Sequence, residues 1–222
     1  MRAAGALPVE RTSGIDRRAA PLLRCALFLA GLMGCATTRE AFYQAPDFAA
    51  KAPDRVAVLP FDNETTSLQA AGILRRLVAQ RLATQGYSCV PLEAADEKLH
   101  GLGVTDGGQL GAYTPKALGE ALEAKGLLYG SVEEFAYQNV GFIVRRVVRL
   151  RLKLVDAETG ERLWEDVGED ENGQIVLDRK DAGRAFVRGV LEQAVGTALR
   201  SPLMRESQAA VEKVFQRLPR RY

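Results

Sequence analysis

Histidine is nearly absent from this 222-residue chain: His100 is the only one. That excludes a histidine-rich metal site, and any Ser/His/Asp triad would rest on one residue at a predicted helix end. Cysteine is scarce too, with Cys25, Cys35 and Cys89. No stretch reaches the roughly 18 apolar residues of a membrane-crossing helix. Apolar residues still make up 47% of the chain, enough for a buried core. A strong charge bias is also missing. The net charge is +2, and Arg2, Arg11, Arg17, Arg18 and Arg24 precede residue 35 against only Glu10 and Asp16, so the remainder stands at −1. A near-neutral body argues against a nucleic-acid footprint. Internal repeats and low-complexity tracts are absent.

What the N-terminus does have is the make-up of an export signal. Arg17, Arg18 and Arg24 form a basic flank, and Leu27, Phe28, Leu29, Ala30, Leu32 and Met33 form a short apolar run. Leu32-Met33-Gly34-Cys35 then resembles the bacterial lipobox, with Met33 the less usual occupant of its position. Met1 to Asp16 is unlike a leader and points to a start further in. The expectation is cleavage between Gly34 and Cys35 and lipidation of Cys35. A diacylglycerol and an N-acyl chain of the palmitate type would then be the only non-protein groups, with no cofactor or metal. Each acyl CH₂ in a bilayer contributes about 0.8 kcal/mol, so two or three chains anchor firmly where one does not. With Cys25 removed and Cys35 acylated, Cys89 has no disulfide partner. Ala36, not Asp, follows the cysteine. In lipoproteins of Gram-negative cells this implies sorting to the outer membrane, taken here with the domain on its periplasmic face.

Residues 36–53 mix small, polar and proline residues without a period and read as a tether. Arg55 to Phe61 reads as a buried strand closed by Pro60, and Asp62 to Ser67 as a turn with helix-capping candidates. Ile73, Leu74, Leu77, Val78 and Leu82 recur at helical spacing, predicting a helix over 68–85 ended by Gly86. Tyr87–Pro91 is a second strand, completing a parallel β-α-β start. A helix over 93–100, a glycine-rich loop over 101–113, a helix from Pro115 to near Gly126 and a strand over 127–137 follow.

Ile143 to Val155 is the most informative segment. Val144, Val148, Leu150, Leu152 and Leu154 share one face, broken only by Arg146, while Arg145, Arg149, Arg151 and Lys153 share the other. Asp156–Gly160 is a turn, and Glu161–Gly168 a returning strand. Asn172-Gly173 signals another turn, and Ile175–Leu177 a short edge strand. A long helix over 181–200 and a final one over 203–218 close the chain. The expected architecture is α/β: a single three-layer-like domain whose mixed sheet is flanked by helices, with a parallel start, an antiparallel C-terminal hairpin and long C-terminal helices. The chain then divides into a signal peptide (1–34), a lipidated tether (35–53) and a folded domain (54–220).

No set of side chains forms an enzyme signature. The glycines at 101–108 lack the GK[ST] ending of a phosphate loop. Cys89 is a packed thiol with no basic cluster near it in sequence. Asp62 and Glu64 could pair as carboxylates at a strand end, or simply cap the next helix. The acidic run 165–171 could attract a cation, or be a solvated cluster. Arg145, Arg149, Arg151 and Lys153 form a candidate interaction face for an anionic partner; pairing with the acidic returning strand is the plainer account.

Taken in order, Val56-Ala57-Val58-Leu59-Pro60-Phe61 with Asn63, Gln85-Gly86-Tyr87, Gly101–Thr105, Leu127-Leu128-Tyr129-Gly130 and Leu154–Trp164 form a recognisable set. Over about residues 36–218 the chain resembles a family of bacterial lipoproteins of unknown function, typified by a genome-derived neisserial antigen. That family is similar in fold to the TolB N-terminal domain, to LpoB and to the periplasmic part of CsgG. The resemblance implies a non-catalytic envelope component working through protein contacts, with a CsgG-like secretion component among the candidate partners and oligomerisation left open. It carries over no catalytic residue. A CsgG-type membrane barrel is not expected, for want of long amphipathic hairpin pairs. Two alternatives stand beside it: an LpoB-like regulator of a peptidoglycan synthase, which so short a tether disfavours, and a ligand-binding or hydrolytic domain using Asp62 and Glu64.

Overall fold

The computed structural model describes residues 42–140, 143–175 and 203–221. Gly34, Cys35 and the expected helix over 181–200 lie outside the described residues. The fold begins before the expected tether ends. Tyr43–Gln44 form strand β1, and Phe48–Lys51 form a helical turn, α1, with Ala45 and Phe48 buried. Pairing of β1 with a later strand of the sheet, an Ala45 N–H bond to Leu163 O at 2.8 Å and the buried Phe48 ring dock a segment whose composition has no period.

Strand β2 (Arg55–Val58) has Val56, Ala57 and Val58 wholly buried, as a run apolar on both faces requires. The expected capping turn is instead a short strand, β3 (Asp62–Asn63), and the next helix, α2 (Ala70–Thr84), starts after Gln69 with no side-chain cap. Gly86 ends it with φ +90°; a side chain there would strike the backbone of Arg221. Strand β4 (Ser88–Cys89) and helix α3 (Leu92–Gly101) follow.

Part of the expected glycine loop is a 3-10 segment, Gly107–Ala112. Asp106 accepts from the Gly108 N–H, and Gln109 closes a capping box around it. Helix α4 (Pro115–Leu122) is capped by Thr114 and ends at Glu123 in a left-handed conformation (φ 53°), not at Gly126. Gly126 opens the next strand, where a side chain would meet Pro53.

Three long strands form the rest of the sheet: β5 (Gly126–Val140), β6 (Ile143–Asp156) and β7 (Arg162–Ile175). Asn172-Gly173 is not a turn, because both residues stay in the ladder opposite Arg146 and Arg145. The expected edge strand contributes Ile175 to β7; residues 176 and 177 lie outside the described residues. Helix α5 (Met204–Phe215) fulfils the final-helix expectation. The strands are thus longer than their alternation suggests, although α5 packs on the apolar face of the meander.

The strand order is β1-β7-β6-β5-β2-β4, with β3 also on β5. The β2/β4 and β2/β5 pairs are parallel; β5/β6, β6/β7 and β7/β1 are antiparallel. Helices lie on both faces, so the mixed three-layer expectation holds. On one face α2 and α5 bury Val56, Val58, Leu150, Leu152, Leu154 and Trp164. On the other, α3 and α4 cover only the parallel end, around Ala57, Leu59 and Leu127. Among the described residues no helix is long and apolar enough to cross a membrane.

The basic tail closes the fold. Arg221 donates from its backbone to Gln85 O at 2.8 Å and from its guanidinium to Ala52 O and Asp54. Tyr87 donates to Pro219 O at 2.8 Å, and burial pushes its phenol up to about 12. Arg217 binds buried Asp166 and lies over the Phe42 ring at 4.5 Å.

Gly168 lets α5 approach β7, since a Cβ there would overlap Ala210 O and crowd Val214. Gly168→Val is expected to destabilise the domain by about 2 kcal/mol or more, as overpacking without room to relax does. Urea unfolding of the variant against the parent measures it.

Candidate functional site

The odd-numbered face of β6, away from α5, carries the residues expected to form a basic patch. Their surroundings change that reading. The β5/β6 register shifts between Val132 and Glu134, a bulge that brings both Glu133 and Glu134 alongside the arginines. Glu133 accepts from Arg151 Nε at 2.7 Å and is ion-paired with Arg149 Nε at 2.6 Å. Arg145 bonds Glu134 at 2.5 Å on one side and Glu171 at 2.8 Å on the other. Arg149 also reaches Glu169 at 3.3 Å, and Arg151 reaches Glu165 at 3.4 Å. Basic β6 is therefore flanked by acidic β5 and acidic β7.

Pairing across the hairpin was expected from the acidic run at 165–171, and it is there. The contribution of Glu133 and Glu134 was not legible, because it needs the bulge and a register between segments that are far from local. Arg145, Arg149 and Arg151 are thus partnered and do not form a bare cationic grip. Asp166 and Asp170 point to the other face, where Arg217 and Lys213 hold them. Among the described residues no three His, Cys, Asp or Glu side chains converge as a metal site.

Lys153 differs from the arginines. Its ammonium lies 5.2 Å from the Tyr129 ring centroid, a cation–π contact, and among the described residues it has no carboxylate partner. Lys51, Lys98, Lys116, Lys125 and Lys213 all sit in ion pairs. The ladder ends at Lys153 in a cleft of about 420 Å³. The 3-10 segment forms one wall through Gly107, Leu110, Gly111 and nearby Tyr113; the sheet forms the other through Tyr129, Ser131, Arg151, Lys153 and Val155, with Asp62 and Glu165 also present. Tyr113 is held by its hydroxyl to Leu102 O, and burial pushes the Tyr129 phenol up.

The two candidate carboxylates separate. Asp62 lines the cleft and accepts the Asn63 N–H at 2.9 Å; Glu64 accepts the Ser131 hydroxyl at 2.7 Å. Neither caps α2. The glycine-rich stretch shapes a cleft wall, a role that its spacing did not reveal. His100 is exposed in the last turn of α3, and the Cys89 thiol is half-buried with its pKa raised by burial, the opposite of an activated nucleophile.

The family model "Putative lipoprotein GNA1162-like" matches residues 43–216. The chain belongs to this family. The "Putative lipoprotein NMB1124/NMB1162" of Neisseria meningitidis serogroup B is 23% identical over 146 residues, 65% of this chain and 67% of that protein. The crystal structure of lipoprotein GNA1162 from Neisseria meningitidis superposes with a TM-score of 0.52 at 22% identity, covering 65% of this chain and 99% of that one. That likeness shows the fold. A PelC dodecamer from Paraburkholderia phytofirmans follows at 0.48 and 18% identity, covering 82% and 97%. The LpoB C-terminal domain from Salmonella enterica stands at 0.38 and 20% identity, covering 53% and 82%.

The GNA1162-like domain also has a titration consequence. The Arg145 guanidinium holds the Glu171 carboxyl below its usual range, first through their hydrogen bond. A depressed folded-state pKa contributes stability above the unfolded value and loses it as pH falls through the folded one. The thermal midpoint of the parent is therefore expected to fall below about pH 4.5, and Glu171→Gln to show a smaller fall over that window. Melting curves at stepped pH in low salt make the comparison, since salt screens this exposed pair.

Proposed function

We propose that this chain is an outer-membrane lipoprotein, anchored through Cys35, whose domain works on the periplasmic side by non-catalytic contact with other envelope proteins. The lipobox-like Leu32-Met33-Gly34-Cys35, its arginine flank and Ala36 support the anchor and the membrane. Membership of a family described as lipoproteins supports it independently. The domain is already folding by Tyr43, so it would sit close to the bilayer.

The observation that carries the contact reading is the odd face of β5, β6 and β7. Three strands of 14 or 15 residues present a broad surface whose arginines Arg145, Arg149 and Arg151 are already paired. Side chains fixed by one another on a sheet lose little further entropy when a partner docks, which favours association. A face assembled this way can also discriminate, because a mispaired charge on the partner would be costly.

Two measurements test the reading. Cys35→Ser is expected to move the protein from the membrane fraction to the soluble one and to abolish labelling by radioactive palmitate; continued sedimentation with vesicles would overturn the anchor. A photo-cross-linking residue at exposed Gln138, opposite Arg145 on this face, is expected to give a discrete adduct with an envelope protein in intact cells. One at exposed Lys125, at the parallel end, is expected to give none.

A further inference from the structure

The cleft at the end of the ladder presents one unneutralised charge of each sign. Arg151 and Glu165, which also line it, bond to each other at 3.4 Å. Among the described residues Lys153 has only the Tyr129 ring, and Asp62 only its neighbouring backbone N–H. The two are exposed and form no ion pair together. Opposite charges left apart in one concavity suit a ligand that carries both.

Their separation follows from the sheet register. Asp62 is opposite Ser131 across β3/β5, and Lys153 is opposite Tyr129 across β5/β6. They are thus two strands and two residues apart, about 12 Å between Cα atoms at the usual spacings. An extended chain of two or three residues, about 7 to 10 Å long, spans more of that separation than a free α-amino acid of roughly 3.5 Å, with the two side chains covering the rest. The volume of about 420 Å³ lies in the range of small-ligand sites. Tyr113, Tyr129, Leu110 and Val155 give it flat and apolar walls, fitting small apolar side chains between two charged ends.

We infer that this cleft binds a short zwitterionic peptide of two or three small residues, its carboxylate on Lys153 and its free ammonium on Asp62, across the Tyr129 ring. This goes beyond the contact reading and does not rest on it, since the cross-linking and peptide-binding results can fail separately.

Calorimetric titration of the mature protein in detergent with tri-alanine tests it. C-terminal amidation and N-terminal acetylation of the peptide are each expected to weaken binding about tenfold or more, the value of a charge-assisted bond. In Lys153→Met the amidation penalty should vanish while the acetylation penalty remains; in Asp62→Asn the reverse should hold. Gly111 lines the cleft and an added Cβ there meets no atom within 4 Å, so Gly111→Leu should keep the fold and block the ligand. Matching circular dichroism and melting curves show that each variant is folded. Absence of tri-alanine binding at about millimolar concentration, or binding that ignores the blocking groups and the three substitutions, would overturn the proposal.

Discussion

Burial of the even-numbered side chains of β6 beneath α2 and α5 is the constraint on which the remainder of the domain depends. Val148, Leu150, Leu152 and Leu154 are wholly excluded from solvent and meet Trp164, Val214 and Phe215 across that layer. Side chains alternate along a strand, so a slip of one residue would drive Arg149, Arg151 and Lys153 into this core. Burying unpaired cations costs far more than any edge contact could return. Hydrophobic packing thus sets the register, and the register places Arg145, Arg149, Arg151 and Lys153 on the opposite face. The ionic ladder is a consequence of the core and not its cause, in keeping with the small stabilisation that partly exposed pairs provide.

That dependence explains which parts could be read from residues alone. The period-two pattern at 143–155 is local, as are the helical stripe of α2 and the apolar run of β2, and all three are where they were expected. The bulge beside Glu133 is not local. It lies between Val132 and Glu134, just past the pairing of β5 with β3, and no spacing within 126–140 announces it. Asn172-Gly173 misled for the related reason that a turn-forming pair can remain extended when a long neighbouring strand supplies its hydrogen bonds. Tyr43–Gln44 and Phe48 were missed because two residues of pairing and one buried ring leave no periodic trace.

The candidate site was legible in its residues but not in its grouping. Lys153 was counted with Arg145, Arg149 and Arg151, since all share a face and a sign. In the fold the arginines meet carboxylates on both neighbouring strands, whereas Lys153 stands opposite Tyr129 on β5. Glu165 is opposite it on β7 but is engaged by Arg151 and Arg162. Asp62 and Glu64 are two residues apart and share a side of the extended chain, but Asp62 lines the cleft whereas Glu64 is held by the Ser131 hydroxyl beside it. Tyr113 and Tyr129 carried no signal of a site, because aromatic residues in a loop and a strand are ordinary until a concavity lies between them.

The same logic separates the two ways this face can act. Where Arg145, Arg149 and Arg151 are matched, the surface is electrostatically closed and favours a partner by shape and hydrogen bonding rather than by net charge. Where the ladder stops, the matching stops with it, and the 3-10 segment rises beside the sheet to make a concave wall. That wall is possible because Gly107 can lie against the backbone of Phe61 and Asp62, an approach that any side chain would prevent. A glycine contact therefore joins the end of the ion pairs to the start of the cleft, and one strand register governs both the broad face and the small site at its edge.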